Sequence, residues 1–189
     1  MSRIISITGP SYSGKTTLIN HLKEDGDFMV PRHITTRKRR IDDEPNFYRY
    51  VSLEDYYRLL NNSELLISSG MNDRMYGILK EDLDDCCSKA GNVIISISYK
   101  DIYKYLLLEY KKLLITLTFR NIEDSMKKRC SMADRERISY EELLLRIQAA
   151  LDDHEKYFEI VKSNSDCLIY TDESNEIETY QKVLRSIKQ

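Results

Sequence analysis

The chain has 189 residues, 41% of them hydrophobic and 32% charged, with a formal net charge of −2 at pH 7. That length suffices for one core, or for one core carrying small inserted subdomains, and the near-neutral charge gives no case for a nucleic-acid partner. No apolar run approaches the ~20 residues of a membrane helix and no signal peptide precedes the first strand, so a cytoplasmic protein is expected. Cys86, Cys87, Cys130 and Cys167 form no C-x-x-C pair and have no histidine at zinc-ligand spacing. Adjacent Cys86 and Cys87 cannot easily bridge each other, which points to reduced thiols.

Arg3 to Thr8 is a short β-branched run that reads as a buried strand. Gly9-Pro10-Ser11-Tyr12-Ser13-Gly14-Lys15-Thr16-Thr17 follows and fits G-x-x-x-x-G-K-[ST], the phosphate-binding loop. Leu18, Ile19 and Leu22 then recur at the spacing of a helix face. Strand, loop and helix are the context this motif requires. Its glycines let main-chain N–H groups wrap closely around a triphosphate, and the helix N-terminus favours phosphate. Lys15 can reach the β and γ phosphates and the Thr16 hydroxyl can ligate magnesium. All nine residues from Gly9 to Thr17 are expected at ATP.

Further along, Phe28-Met29-Val30 looks like a strand, and Arg37-Lys38-Arg39-Arg40 is the densest positive patch of the chain. Phe47 to Val51 alternates as a short strand would, and Ser52 caps a helix over Leu53 to Asn62. Glu64 to Ser68 reads as a strand and Met71 to Gly77 as a turn or strand. Ile78 to Ala90 reads as a helix closing at a Gly91 C-cap. The larger rhythm then resumes: strand Val93 to Ser98, helix Lys100 to Tyr110, strand Leu113 to Phe119, helix Ile122 to Arg129. Ser131 to Arg137 is polar, and Ser139 with Glu142 predicts a capping box for a helix running to about Phe158. Strand Cys167 to Tyr170 and helix Glu176 to Ile187 close the pattern. Buried strands alternating with helices predict an α/β fold, a parallel sheet covered on both faces. The short, polar-edged strands of 34–90 break that rhythm and predict an inserted lobe. Residues 1–33 and 91–189 would then form the core, with a lid at about 130–139.

At this point the chain resembles the guanylate kinase family over nearly its whole length. Gly9 to Thr17 is similar to that family's G-P-S-G-x-G-K-[ST], and His33 to Arg40 to its S-x-T-T-R-x-P-R. Phe47 to Ser52 is similar to D-Y-x-F-V-S, Met75-Tyr76-Gly77 to Y-Y-G, and Asp166 to Asp172 to the closing strand near the adenine. Lys128-Arg129, Arg135 and Arg146 fall where the lid segment carries arginines. The resemblance implies a P-loop kinase of three parts: an ATP- and magnesium-binding core, an acceptor-binding lobe and a lid. Phosphoryl transfer between two anions makes charge neutralisation the main task. Lys15, Arg129, Arg135 and Arg146 are the implied catalytic cations. Arg37 and Arg40 would grip the acceptor phosphate through paired N–H groups, with the Tyr48 hydroxyl and Tyr76 as added contacts. The resemblance implies small nucleotide substrates, no membrane or nucleic-acid partner, and a monomer or homodimer.

The acceptor lobe departs from the family pattern at the positions that read guanine. Ile67 stands where a glutamate would accept from the base, and Ile78, after Tyr76-Gly77, replaces a serine or threonine. Ser98 stands where the strand end carries aspartate, and His33 replaces the first serine of the phosphate motif. GMP or dGMP is the acceptor by resemblance. Ribose 1,5-bisphosphate phosphokinases share the fold and need no base pocket, which keeps a non-guanine acceptor open. A non-catalytic guanylate-kinase-like binding module is a third expectation, set against it the intact Lys15 and Thr16.

Overall fold

The computed structural model describes residues 2–25, 27–39, 43, 47–71, 74–132 and 139–189, with backbone only at 71 and 132. A five-stranded parallel sheet runs through its centre. The order is β2 (Phe28–Met29), β7 (Asn92–Ile97), β1 (Arg3–Thr8), β8 (Lys111–Thr118), β9 (Cys167–Tyr170). Its three central strands are apolar on both sides, the pattern of a sheet sandwiched between helices. Ile4, Val93, Ile95 and Leu114 point to one face. There they pack against Leu83 and Cys86 of α3 (Lys80–Lys89), Ile102 and Tyr105 of α4 (Ile102–Leu106), and Phe158 and Val161 of α6 (Tyr140–Ser163). Ile5, Ile7, Ile94, Ile115 and Leu117 point to the other. These meet Leu18, Ile19 and Leu22 of α1 (Lys15–Glu24) and Val183 and Ile187 of α7 (Glu176–Lys188). α5 (Ile122–Met132) packs with α6 through Phe119, Ile122, Met126 and Ile147.

A second sheet has the order β4 (Tyr48–Tyr50), β3 (His33–Thr35), β6 (Arg74–Leu79), β5 (Leu65–Met71). β3 and β4 are parallel, whereas β6 runs antiparallel to β3 and β5. Tyr56 and Leu59 of α2 (Leu53–Asn61) cover one face over Ile34, Leu65 and Leu79. Among the described residues no helix is long and apolar enough to cross a membrane.

The structure corrects the sequence expectations where tertiary contacts compete with local preference. Ile78 and Leu79 are the end of β6, not the start of a helix, because Ile78 pairs with both His33 and Ile67. α3 closes at Ala90 in extended conformation, so Gly91 is no left-handed cap; its carbonyl accepts from the N–H of Arg3 at 2.9 Å instead. The helix expected over Lys100 to Tyr110 is a 3-10 turn, Tyr99–Asp101, followed by the five-residue α4. The Lys112 ammonium donates to the carbonyls of Tyr105, Leu106 and Leu108 and stops the helix there. α6 runs on past Phe158 to Ser163 because fully buried Val161 extends its apolar stripe. Ser139 does cap α6, accepting from the Glu142 N–H at 3.1 Å, but the Glu142 carboxylate does not return to close the box.

Candidate active site

The C-terminal ends of the parallel strands and the inner edge of the second sheet enclose one continuous cavity of about 1320 Å³. Its first half is the loop between β1 and α1. Gly9 has φ +150°, and a Cβ there would sit 2.0 Å from the carbonyl oxygen of Leu117, so only glycine lets the loop lie on β8. Gly14, at φ 91°, turns the chain into α1 without any side-chain cap, and the first turn of α1 carries no acidic residue. Its N–H groups are left for an anion. The Lys15 ammonium folds back to donate to the carbonyls of Gly9 and Pro10, both at 2.8 Å. Although the residue is only half-buried overall, the charged end is enclosed by the loop, and desolvation pulls its pKa down to about 8. A phosphate would supply the missing counter-charge. Ser13 is 1% exposed and its hydroxyl has no partner among the described residues.

Thr16 is exposed to the same cavity, one residue into α1. Nearby strand ends contribute Ser96 and Ser98, again oxygen donors without charge. Among the described residues no cluster of three or more His, Cys, Asp or Glu could hold a metal by itself. That donor set fits magnesium delivered on a triphosphate, which takes few protein ligands and keeps its waters.

Tyr12 is the residue the sequence reading underrated. It lies at φ 63°, a left-handed conformation that costs a non-glycine residue roughly 1–2 kcal/mol. Its ring packs on Phe119, Ile122, Met126 and Ile147, which offsets that strain. Its carbonyl accepts from Arg129 Nη1 at 2.9 Å, and its hydroxyl from Arg146 Nη1 at 3.3 Å. Arg129 also donates to the carbonyl of Thr171 and lies 5.1 Å over the Phe119 ring. Two of the expected lid cations therefore converge on the phosphate loop through one tyrosine. The available signal was a bulky residue where G-P-S-G-x-G-K has its second glycine. Arg135, the third expected cation, and most of the expected lid lie outside the described residues, as does Arg40.

The other half of the cavity is built by β3, β4 and the β5–β6 hairpin. Arg37, 7% exposed, donates to the Lys38 carbonyl at 3.0 Å and holds the Asp43 carboxylate with both guanidinium arms. The Tyr48 ring lies 4.6 Å from the guanidinium carbon and that of Tyr50 5.8 Å, while the Tyr50 hydroxyl donates to Asp43. Tyr76 and Gly77 line the same wall. His33 lines the cavity as well and also ties the two sheets together. Its Nδ1 lies 3.1 Å from the Pro31 carbonyl and its Nε2 accepts from the Ser96 N–H at 3.2 Å, a pairing that assigns the proton to Nδ1. The ring stacks on Phe47 at 5.0 Å, so His33 joins the second sheet to the first. Ile67 and Ile78 pair across the hairpin, 3% and 1% exposed, and present an apolar wall. Ser98 and buried Asp101 line the same cavity and are tied together, the carboxylate accepting from the Ser98 N–H and hydroxyl at 3.1 and 2.6 Å.

Comparison with known proteins places this arrangement. The family model for guanylate kinase matches residues 1–184. A guanylate kinase of Anaplasma phagocytophilum is 27% identical over 106 residues, 54% of this chain; the match spans about half, 50%, of that relative's length. A guanylate kinase of Chlamydia abortus is 26% identical over 178 residues, 85% of this chain and 86% of its own. The crystal structure of guanylate kinase from Anaplasma phagocytophilum superposes with a TM-score of 0.72 at 18% identity, covering 99% of this chain and 85% of that one. With the family model matching residues 1–184 of its 189, the chain belongs to the guanylate kinase family.

Proposed function

We propose that the protein transfers the γ-phosphoryl group of ATP, with magnesium, to a nucleoside monophosphate, GMP or dGMP by family. The parallel sheet and its helices are the ATP-binding core, the second sheet is the acceptor lobe, and residues at about 130–139 are the lid. One observation carries this reading: the uncapped phosphate loop and the tyrosine-flanked Arg37 face one continuous cavity. Bound triphosphate draws the Lys15 ammonium off the Gly9 and Pro10 carbonyls and returns its counter-charge. The planar Asp43 carboxylate occupies both arms of Arg37, as two oxygens of a phosphate monoester would, so the acceptor enters by taking over those donors. Arg129 and Arg146, docked on Tyr12, lie beside the loop where charge develops during transfer. The Thr16 hydroxyl would hold magnesium together with the phosphates, and the ion would supply charge neutralisation on the transferring group.

The apolar pair Ile67 and Ile78 favours a second reading of the acceptor. Burying guanine N–H groups against them costs on the order of 1–3 kcal/mol per unpaired group, so a phosphorylated acceptor without a guanine, such as ribose 1,5-bisphosphate, suits this wall better. A panel of phosphorylated acceptors with ATP, reading ADP release, separates the two. Turnover of GMP and dGMP supports the first reading; turnover confined to ribose 1,5-bisphosphate supports the second. Lys15→Met is expected to lower turnover about 10²–10³-fold while leaving the thermal midpoint near that of the wild type. Undiminished turnover in that variant sinks the mechanism, and absence of ATP binding by calorimetry points to a binding module.

A further inference from the structure

A glutamate three residues past a serine N-cap ordinarily turns back to the N-cap N–H. Glu142 gives up that local bond. Its Oε1 accepts from Arg146 Nη2 at 2.8 Å, one turn along α6, and from Arg74 Nη2 of β6 at 3.3 Å. Arg146, 8% exposed, reaches on with its other arm to the Tyr12 hydroxyl at 3.3 Å. A line of four side chains thus runs from the second sheet, through α6, into the phosphate loop. Its two ends differ in strength. Arg74 and Glu142 are 35% and 33% exposed, so their contact is solvent-screened and easily exchanged. The Arg146 end is buried and held by a ring in a strained backbone, hence rigid. The bond to Arg146 is an ordinary i, i+4 pair within α6; what that pair does not require is the second contact, which carries the same carboxylate across to Arg74 on β6.

We propose that Glu142 is a positioning residue that couples the second sheet to the phosphate loop, setting Arg146 against Tyr12 according to where Arg74 stands. The inference deepens the phosphotransfer reading and rests on it for its purpose: the acceptor lobe would report its position to a cation at the transferring group. The coupling itself is a binding property and can be read without turnover.

The test is a double-mutant cycle on the full chain. ATP with magnesium is titrated calorimetrically into wild type, Arg74→Ala, Glu142→Ala and the double variant. Arg74→Ala is expected to change ATP affinity about threefold in the wild-type background and not at all once Glu142 is gone. With the acceptor found in the panel, Glu142→Ala is expected to lower kcat about tenfold, and Glu142→Gln, which keeps an accepting oxygen, to recover part of it. An equal effect of Arg74→Ala in both backgrounds, or none in either, overturns the coupling even if the enzyme turns over normally. Should no acceptor be phosphorylated while the affinity cycle stays non-additive, the phosphotransfer reading falls and the coupling stands. If Glu142→Ala does not fold, Glu142→Met, which keeps the side chain's length without an accepting oxygen, carries the same cycle.

Discussion

His33 lies 5% exposed between the Phe47 ring and the Ser96 N–H, and burial pushes its pKa down to about 4. The folded protein therefore keeps the imidazole neutral while the unfolded chain protonates near 6.5. As pH falls from 6.5 towards 4 the unfolded state binds the extra proton, and folding loses up to about 3 kcal/mol through this residue. Urea unfolding at pH 7.0 and pH 4.5 checks this, with His33→Gln expected to flatten the difference. A variant as acid-sensitive as the wild type would show that other groups carry the loss. Lys15 titrates the other way in use. With a pKa of about 8 in the desolvated loop and a higher one beside phosphate, binding takes up a proton above pH 8. ATP affinity should then fall about tenfold between pH 7 and pH 9, with proton uptake visible in calorimetry from buffers of different ionisation heat. The placement of Lys15 and Thr16 on the cavity at the start of α1 was legible from the motif alone, because the sequence specifies that loop locally. His33 and Tyr12 were not, since each takes its role from elements that arrive from distant parts of the chain.

Elements were readable where burial on both faces makes a strand apolar throughout, as in β1, β7 and β8. They were misread where a contact from outside the element decides its end: Lys112 of β8 halts α4, and pairing with His33 and Ile67 keeps Ile78 in β6. The junction between β1 and the phosphate loop is the least forgiving of these boundaries. Gly9→Ala places a methyl carbon 2.0 Å from a backbone carbonyl that cannot move without disturbing β8. The expected outcome is a loss of about 2 kcal/mol or more of stability and at least about tenfold weaker ATP binding, as the loop lifts off its seat and its N–H groups disperse. Thermal unfolding and calorimetry measure both; a variant that binds ATP normally would show that the loop does not depend on this contact.

Across the whole molecule a net charge of −2 conceals a cleft where both signs gather, with Lys15, Arg37, Lys100, Arg129 and Arg146 beside Asp43, Asp101, Asp153 and Asp172. Total charge could not show where the positive side chains gather. If the apolar wall is what withholds guanine, restoring donors and acceptors there should shift preference. Ile67→Glu with Ile78→Ser is expected to raise kcat/KM for GMP by about tenfold or more, at some loss of stability from burying polar groups; an unchanged acceptor profile would place specificity elsewhere. The parallel pairing of β3 with β4 gives this experiment its footing. Parallel neighbours need a long crossover, and the twelve residues from Thr36 to Phe47 that make it contain Arg37 and Asp43. Topology thereby welds the anion grip to the fold of the lobe, since shortening that connection would break the sheet. The β5–β6 hairpin is under no such constraint. If the lobe holds a phosphate as proposed, selection could rewrite positions 67 and 78 while leaving Arg37 and its crossover intact, a fixed handle with an interchangeable face.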